Sequence, residues 1–378
     1  MITKRVAING WILKDKQIDG IGNFTIHTSI HLAKMNPENE YLILCDWRYN
    51  DIFFDDIKNI KIKRIFPIWR HPILYVFILD TILPLVLKLY KIDLFIGTDG
   101  MISLITGKKQ ISVIHDLNFL HYPEFLPFRN RAFYNIYYPL YAKKATKIAT
   151  VSEFSKNDII ESYKIKPEKI NVVYCAAKET FHKISEIEKS NIRNKYTRGA
   201  PFFVCIGTIH PRKNISLTLD AFELFLKTQK KPFKMILIGN FLWNNDKLLE
   251  KINTGILKEC VIVAGRLSDN ETNEVLASAE ALIFMSLFEG FGIPILEAFA
   301  TETPVICSNT TSLEEISSDA ALKADPLDKN EILEKMCIIQ ENKNNIKSEL
   351  INAGKKRLKY FSWEKTSIIL SHQINQVV

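Results

Sequence analysis

Short apolar runs separated by amphipathic stretches recur along the whole chain. Residues 6–12, 41–45, 94–97, 111–115, 147–151 and 170–173 are mostly branched or aromatic and are bounded by polar positions. The same unit returns over 202–206, 234–238, 260–264, 280–285 and 304–308. These runs have no polar face, which is the signature of strands covered on both sides. Between several of them the apolar spacing changes to that of a helix. Residues 24–32 form one such stretch, and Ile215, Leu219, Phe222 and Phe225 mark another that begins near Asn214. Strands alternating with helices predict parallel sheets and an α/β fold.

A chain of 378 residues exceeds what one hydrophobic core usually serves, so two domains are expected. The pattern changes over 177–185, and charged positions then run on to Tyr196. This puts the boundary between an N-terminal domain, 1–182, and a C-terminal domain, 183–362. No low-complexity linker marks it.

Composition is that of an ordinary globular α/β protein, 47% hydrophobic and 24% charged. Of the formal charge of +8, most lies in the first half: residues 1–182 hold 25 Lys plus Arg against 18 Asp plus Glu. No nucleic-acid recognition motif accompanies this excess, so nucleic acid is not the expected partner. The cluster Lys58, Lys61, Lys63, Arg64 and Arg70, with Trp69, Tyr75 and Phe77 nearby, leads into the apolar run 72–87. It fits either an anionic membrane face or a buried helix with a solvated basic edge. Asp80 and Pro84 make the run a poor bilayer span. Six scattered cysteines show neither CxxC nor metal-ligand spacing and read as buried thiols of a reducing compartment. The opening run MITKRVAINGWIL is too short and broken for a signal peptide. A cytoplasmic protein is expected, at most peripheral on the inner membrane face.

Four segments carry candidate chemistry. In LFEGFGIPILEAFA, Glu289 and Glu297 stand eight residues apart across a turn, and Gly290 and Gly292 let the backbone approach a ligand. Phe291 and Ile293 flank that turn. Pro294 suits a first helical position, so Glu297 is expected in the first helical turn, where outward amides make an anion site. In FFVCIGTIHPRKN, Gly207 ends a strand, and Arg212 and Lys213 follow on a strand-to-helix loop where two cations can hold a diphosphate. Gly20 and Gly22, in GIGNFT, are placed in a loop between the first strand and its helix. His115 closes a strand and precedes Asp116, at the sheet edge where open α/β folds bind ligands. No Asp-x-Asp pair or histidine cluster suggests a metal.

Together with Thr150-Val151-Ser152-Glu153-Phe154-Ser155 and the closing Phe361-Ser362-Trp363-Glu364, these segments resemble family-four retaining glycosyltransferases of the GT-B fold. The resemblance spans nearly the whole chain. It implies two Rossmann-like domains facing across a cleft, with the helix 363–378 crossing back onto the first. It implies a nucleotide-sugar donor, with Glu297 on the ribose, Glu289 on sugar hydroxyls, Arg212 and Lys213 on the diphosphate, and His115 beside the transferred sugar. Gly20 and Gly22 would approach the diphosphate from the other domain. One departure is Thr208 after Gly207, where many relatives have arginine. The run Ile114-His115-Asp116-Leu117 with Tyr122-Pro123-Glu124 resembles bacterial mannosyltransferases of surface polysaccharide assembly. That favours GDP-mannose over UDP- or dTDP-sugars, a glycan or lipid-linked acceptor, and no cofactor beyond the co-substrate. A nucleotide-sugar epimerase of the same architecture and a silent glycan-binding scaffold are the alternatives.

Overall fold

The computed structural model describes residues 3–13, 18–47, 49, 52–65, 72–241 and 246–378. By internal contacts the chain divides into Met1–Cys175 with Ser362–Val378, and Ala176–Phe361.

The first unit is built on a sheet of seven strands among the described residues: β1 Arg5–Asn9, β2 Glu40–Asp46, β3 Ile60–Ile65, β4 Leu94–Gly97, β5 Lys109–Val113, β6 Lys147–Thr150 and β7 Ile170–Val172. Their order is β3-β2-β1-β4-β5-β6-β7, and every pairing is parallel. The order reverses between β1 and β4, so the loops leaving those two strands diverge and open a crevice at their C-terminal ends. The helix Trp363–Val377 belongs to this unit. It packs on the helix Gly20–Met35, with Trp363 stacked on His27 at 4.9 Å and Ser371 Oγ donating to Asn36 Oδ1 at 3.2 Å. Gln373 Nε2 donates to the Ile148 carbonyl at 2.9 Å.

The second unit repeats the plan with six strands: β8 Phe202–Ile206, β9 Lys234–Ile238, β10 Val261–Gly265, β11 Ala281–Phe284, β12 Val305–Ser308 and β13 Leu322–Ala324. Their order is β10-β9-β8-β11-β12-β13, again parallel throughout, with the reversal between β8 and β11. Phe203, Phe222, Phe225 and Phe233 fill the core under β8. Both sheets are therefore two Rossmann-like α/β domains, as the pattern of apolar runs predicts.

Two local expectations are corrected, and the basic cluster is given its place. The first helix starts at Gly20, capped by Asp19, whose carboxylate accepts from the Gly22 N–H at 2.9 Å; Gly20 and Gly22 thus lie inside its first turn, not in a loop before Phe24. The strand containing 111–113 ends at Val113, so His115 lies just beyond it. The basic stretch around Lys61 is an edge strand, β3, where alternating lysines guard an exposed edge. Its cations are engaged within the unit: Lys61 lies 3.7 Å from Glu40, Lys63 sits over the Tyr90 ring at 5.4 Å, and Arg64 donates to the Tyr49 carbonyl. Arg70 and Trp69 lie outside the described residues. The apolar run after them is helical, with Leu79, Leu83 and Leu87 in the core and Asp80 accepting from Ser103 Oγ and the Leu104 N–H. No described helix is long and apolar enough to cross a membrane. All six cysteines are free thiols, four of them buried.

Candidate active site

In the second unit, the two loops that leave β8 and β11 meet at the reversal of strand order. The backbone there is tight. Gly207 has φ +130°, and a Cβ on Gly239 beside it would lie 2.0 Å from the Gly207 carbonyl oxygen. Beyond Gly207, Pro211–Lys213 forms one short turn, and Asn214 at φ +55° hands over to the helix Ile215–Thr228. The Leu287 N–H donates to the Arg212 carbonyl at 2.8 Å, and Arg212 Nη1 donates in return to the Phe288 carbonyl. The two loops are thus stitched together.

Glu289 ties the same two loops by charge. One carboxylate oxygen lies 2.5 Å from Lys213 Nζ and the other 2.8 Å from Arg212 Nη1. Burial alone would raise its pKa. The charges of Arg212 and Lys213 and the hydrogen bonds they donate outweigh that and hold the carboxyl at about 2. Lys213 also lies over the Phe284 ring, 4.7 Å from its centroid. Arg212 and Lys213 are therefore mostly buried, with side chains 21% and 14% exposed, and not the solvated loop positions that their place in the sequence suggests.

After Glu289 the chain turns through Gly290, Phe291 and Gly292 into the helix Ile293–Ala300. Gly292 has φ +102°, and a Cβ there would meet Leu313 Cδ2 at 2.6 Å, so no other residue fits without rearrangement. Ser312 Oγ pins the turn by donating to the carbonyls of Glu289 and Phe291, and Phe291 packs edge-on against Phe361. Glu297 lies in the second helical turn, a correction to its expected place in the first. It is buried, and its carboxylate has no hydrogen bond among the described residues. Burial pushes its pKa up to about 7, opposed by the charge of Lys178, which is itself paired with Asp269 at 2.8 Å. A buried carboxyl without a protein donor is equipped to accept from ligand hydroxyls.

In the first unit, His115 Nε2 lies 2.8 Å from the Thr98 carbonyl, which fixes the proton on Nε2 and leaves Nδ1 as the acceptor. Phe24, brought forward by the Gly20–Met35 helix, packs edge-on against the imidazole at 5.2 Å. Burial lowers the His115 pKa, against the pull of the Thr98 carbonyl and of Asp116 and Asp19. The Thr150–Ser155 segment serves this site: Ser152 caps the helix Glu153–Tyr163, and Ser155 Oγ donates to the His115 carbonyl at 3.1 Å.

Sequence reasoning missed Asp99 and Asn9. They face each other across the β1/β4 reversal, Asn9 Nδ2 donating to Asp99 Oδ1 at 2.8 Å, with the Met101 N–H on the same oxygen at 3.2 Å. Burial raises the Asp99 pKa to about 6, against those hydrogen bonds. No other described residue donates to its second oxygen, and a carboxylate oxygen can take more than one donor, so it too can accept from a hydroxyl. The available signal was an Asp two residues past an apolar strand, which becomes meaningful only once strand order is known. Among the described residues, no group of three or more His, Cys, Asp or Glu is placed to hold a metal ion.

Two parallel-sheet Rossmann-like domains are the architecture of the GT-B fold, and comparison with known proteins agrees. The model of "Glycosyltransferase Family 4" matches residues 18–179, and that of "Glycosyl transferases group 1" matches residues 187–357. The O-antigen chain mannosyltransferase B of Escherichia coli is 31% identical over 68% of this chain and 68% of its own. The chain belongs to this glycosyltransferase family. The structure of WaaG, a glycosyltransferase involved in lipopolysaccharide biosynthesis, aligns over 98% of this chain and 99% of its own with a TM-score of 0.75 at 14% identity. That of Anabaena Alr3699/HepE in complex with UDP and glucose aligns over 99% and 100% with a TM-score of 0.74 at 17% identity. At those identities the structures speak for the fold.

Proposed function

We propose that this glycosyltransferase moves a sugar, with mannose favoured, from a nucleoside diphosphate to a hydroxyl of a glycan or lipid-linked acceptor. Anomeric configuration is retained and no metal is required. The observation that carries the reading is the β8/β11 crevice, where Arg212 and Lys213 are held side by side next to a helix N-terminus and a buried carboxyl without a protein donor.

The bond from the anomeric carbon to the β-phosphate oxygen breaks as the acceptor oxygen bonds to that carbon, and negative charge accumulates on the departing diphosphate. Arg212 and Lys213 supply fixed positive charge to it, joined by the N–H groups of Gly292 and Ile293, since Pro294 has none and that of Ile295 is bonded to the Gly292 carbonyl. Glu289 keeps both cations ionised and aimed, and its carboxylate also accepts from sugar hydroxyls. Glu297 accepts from the ribose. Gly20 and Gly22 leave the first turn of their helix without side chains that would hinder approach of the diphosphate, the Gly22 N–H itself being held by the Asp19 carboxylate. His115 meets the sugar through Nδ1. The acceptor's proton passes to an oxygen of the leaving phosphate on the same face, so no protein nucleophile is needed.

The E. coli relative is by name a mannosyltransferase of the O-antigen chain, which supports GDP-mannose and a surface-polysaccharide acceptor. The Anabaena complex keeps UDP-sugars under consideration. Peripheral contact with the inner membrane face through the basic first domain accompanies this reading. The test is a panel of GDP-, UDP- and dTDP-sugars, read by donor hydrolysis and thermal stabilisation. One donor, expected to be GDP-mannose, should be both cleaved and stabilising; binding without cleavage of any donor would favour a silent scaffold.

A further inference from the structure

The N-terminal edge of the first sheet carries a second charged feature, at the opposite end of the strands from His115. The helix Phe128–Lys144 ends there, β6 starts there at Lys147, and the segment from Lys164 to Lys169 leads into β7. Together they form a depression of about 400 Å³ lined by Lys143, Lys147, Lys164, Lys166 and Lys169 against a single acid, Glu168. Among the described residues none of the five lysines forms an ion pair. Other lysines of this chain do, such as Lys251 with Asp220 at 2.7 Å.

Two of the ammonium groups are held by carbonyls, Lys147 Nζ by that of Glu168 at 2.9 Å and Lys169 Nζ by that of Lys143 at 2.8 Å. A carbonyl fixes the direction of a cation without cancelling its charge. Lys164 occupies a left-handed helix-cap position, φ +54°, that glycine or asparagine fills with less strain. Five like charges gathered in one concavity repel one another, and a ligand with several anionic oxygens relieves that repulsion.

We propose that this depression binds the phosphate headgroups of an anionic membrane. The neighbouring surface selects that source of phosphate. Ile136 and Leu140, 58% and 43% exposed, precede the exposed Lys143 and Lys144 on one face of the same helix, so the face passes from apolar to cationic. A soluble phosphate gives the apolar pair nothing to pack on, whereas a headgroup layer with acyl chains behind it serves both. The site gives the membrane contact a location other than the β3 edge, and its failure would leave the glycosyl-transfer reading standing.

Co-sedimentation of the whole protein with phosphatidylcholine vesicles, with and without phosphatidylglycerol, tests this beside calorimetry with inorganic pyrophosphate. The parent should partition onto the phosphatidylglycerol vesicles alone and lose that binding as salt rises. Each lysine near an anionic surface contributes roughly fivefold, so Lys143→Gln with Lys166→Gln should lower partitioning roughly thirtyfold. Donor cleavage should be unchanged in that variant, because both side chains are exposed and far along the strands from the crevice. Equal binding to both vesicle types, or unchanged partitioning of the double variant, overturns the proposal. So does pyrophosphate binding that the double variant loses while the parent ignores vesicles, since that would mark a soluble-anion site.

Discussion

Glu289 Oε1 lies 2.5 Å from Lys213 Nζ, and through this contact the fold and the chemistry depend on one charge pair. With its carboxyl held at about 2 instead of the usual 4.5, Glu289 contributes stability that is fully present above pH 4.5 and is lost as pH falls toward 2. The contribution is on the order of 3 kcal/mol. Lys213→Ala should therefore do two things. It should weaken GDP or UDP binding by roughly 1.5 to 3 kcal/mol, and it should cost stability of about 2 kcal/mol by leaving Glu289 buried with Arg212 alone. Urea unfolding at pH 7 and at pH 4, with titration calorimetry, reads both. Nucleotide affinity equal to the parent's would remove Lys213 from the diphosphate site.

Glu297 behaves in the opposite sense. Its folded pKa of about 7 stands above the unfolded 4.5, so between those values the folded state retains a proton that the unfolded chain releases. Stability should fall as pH rises from 4.5 to 7, and Glu297→Gln should flatten that slope. A ribose held by the carboxylate should also bind better as pH passes 7. Thermal melts and nucleotide titrations from pH 5 to 9 would show both trends. A nucleotide affinity that tracks the parent's pH dependence in Glu297→Gln would mean that some other group holds the ribose.

The two crevices differ in how much of them the sequence discloses. Gly207 and Gly292 are legible because a positive φ restricts the position to glycine, and the buried runs such as 202–206 and 234–238 are legible because strands covered on both faces are largely apolar. β3 is less so, since the charges of Lys61, Lys63 and Arg64 draw the reading toward a basic cluster and mask the period-two alternation of an edge strand. Burial of Arg212 and Lys213 is equally hidden: it comes from Glu289 and Phe284, more than seventy residues away. The Asn9–Asp99 pair depends on which strands become neighbours, a property of topology that no local pattern carries.

His115 should remain neutral through the physiological range, because burial lowers its pKa. The unfolded chain protonates first as pH falls through 6.5, so this residue's contribution is present above that value and is lost below it. Replacing it by Ala should reduce kcat roughly tenfold to a hundredfold while nucleotide affinity holds. Calorimetry with GDP alongside steady-state rates tests the division. Loss of GDP affinity at full kcat would place His115 in nucleotide binding and not beside the sugar.

Chelation offers an independent check on the cationic loop. If, as proposed, Arg212 and Lys213 supply the charge that a diphosphate-bound metal supplies in other enzymes, activity should survive excess EDTA with the rate within about twofold of the untreated enzyme. Complete loss, restored by magnesium or manganese, would show that these side chains do not suffice for the leaving group.

The two glutamates should separate by kinetics. On the proposed roles Glu297→Gln removes an acceptor for the nucleoside, an interaction made equally in ground and transition states, so the donor KM should rise while kcat holds. Glu289→Gln acts where charge changes during the reaction. It leaves Arg212 and Lys213 without their shared counter-charge, and it withdraws an acceptor from the sugar, so kcat should fall more than donor affinity. The extra positive charge should hold or tighten binding of free GDP or UDP, a signature that simple misfolding would not produce. Steady-state rates with the donor found by the panel, and nucleotide affinities for each variant, measure all three quantities. Lost nucleotide affinity at full kcat in Glu289→Gln, or parental behaviour in both variants, would defeat the division of roles.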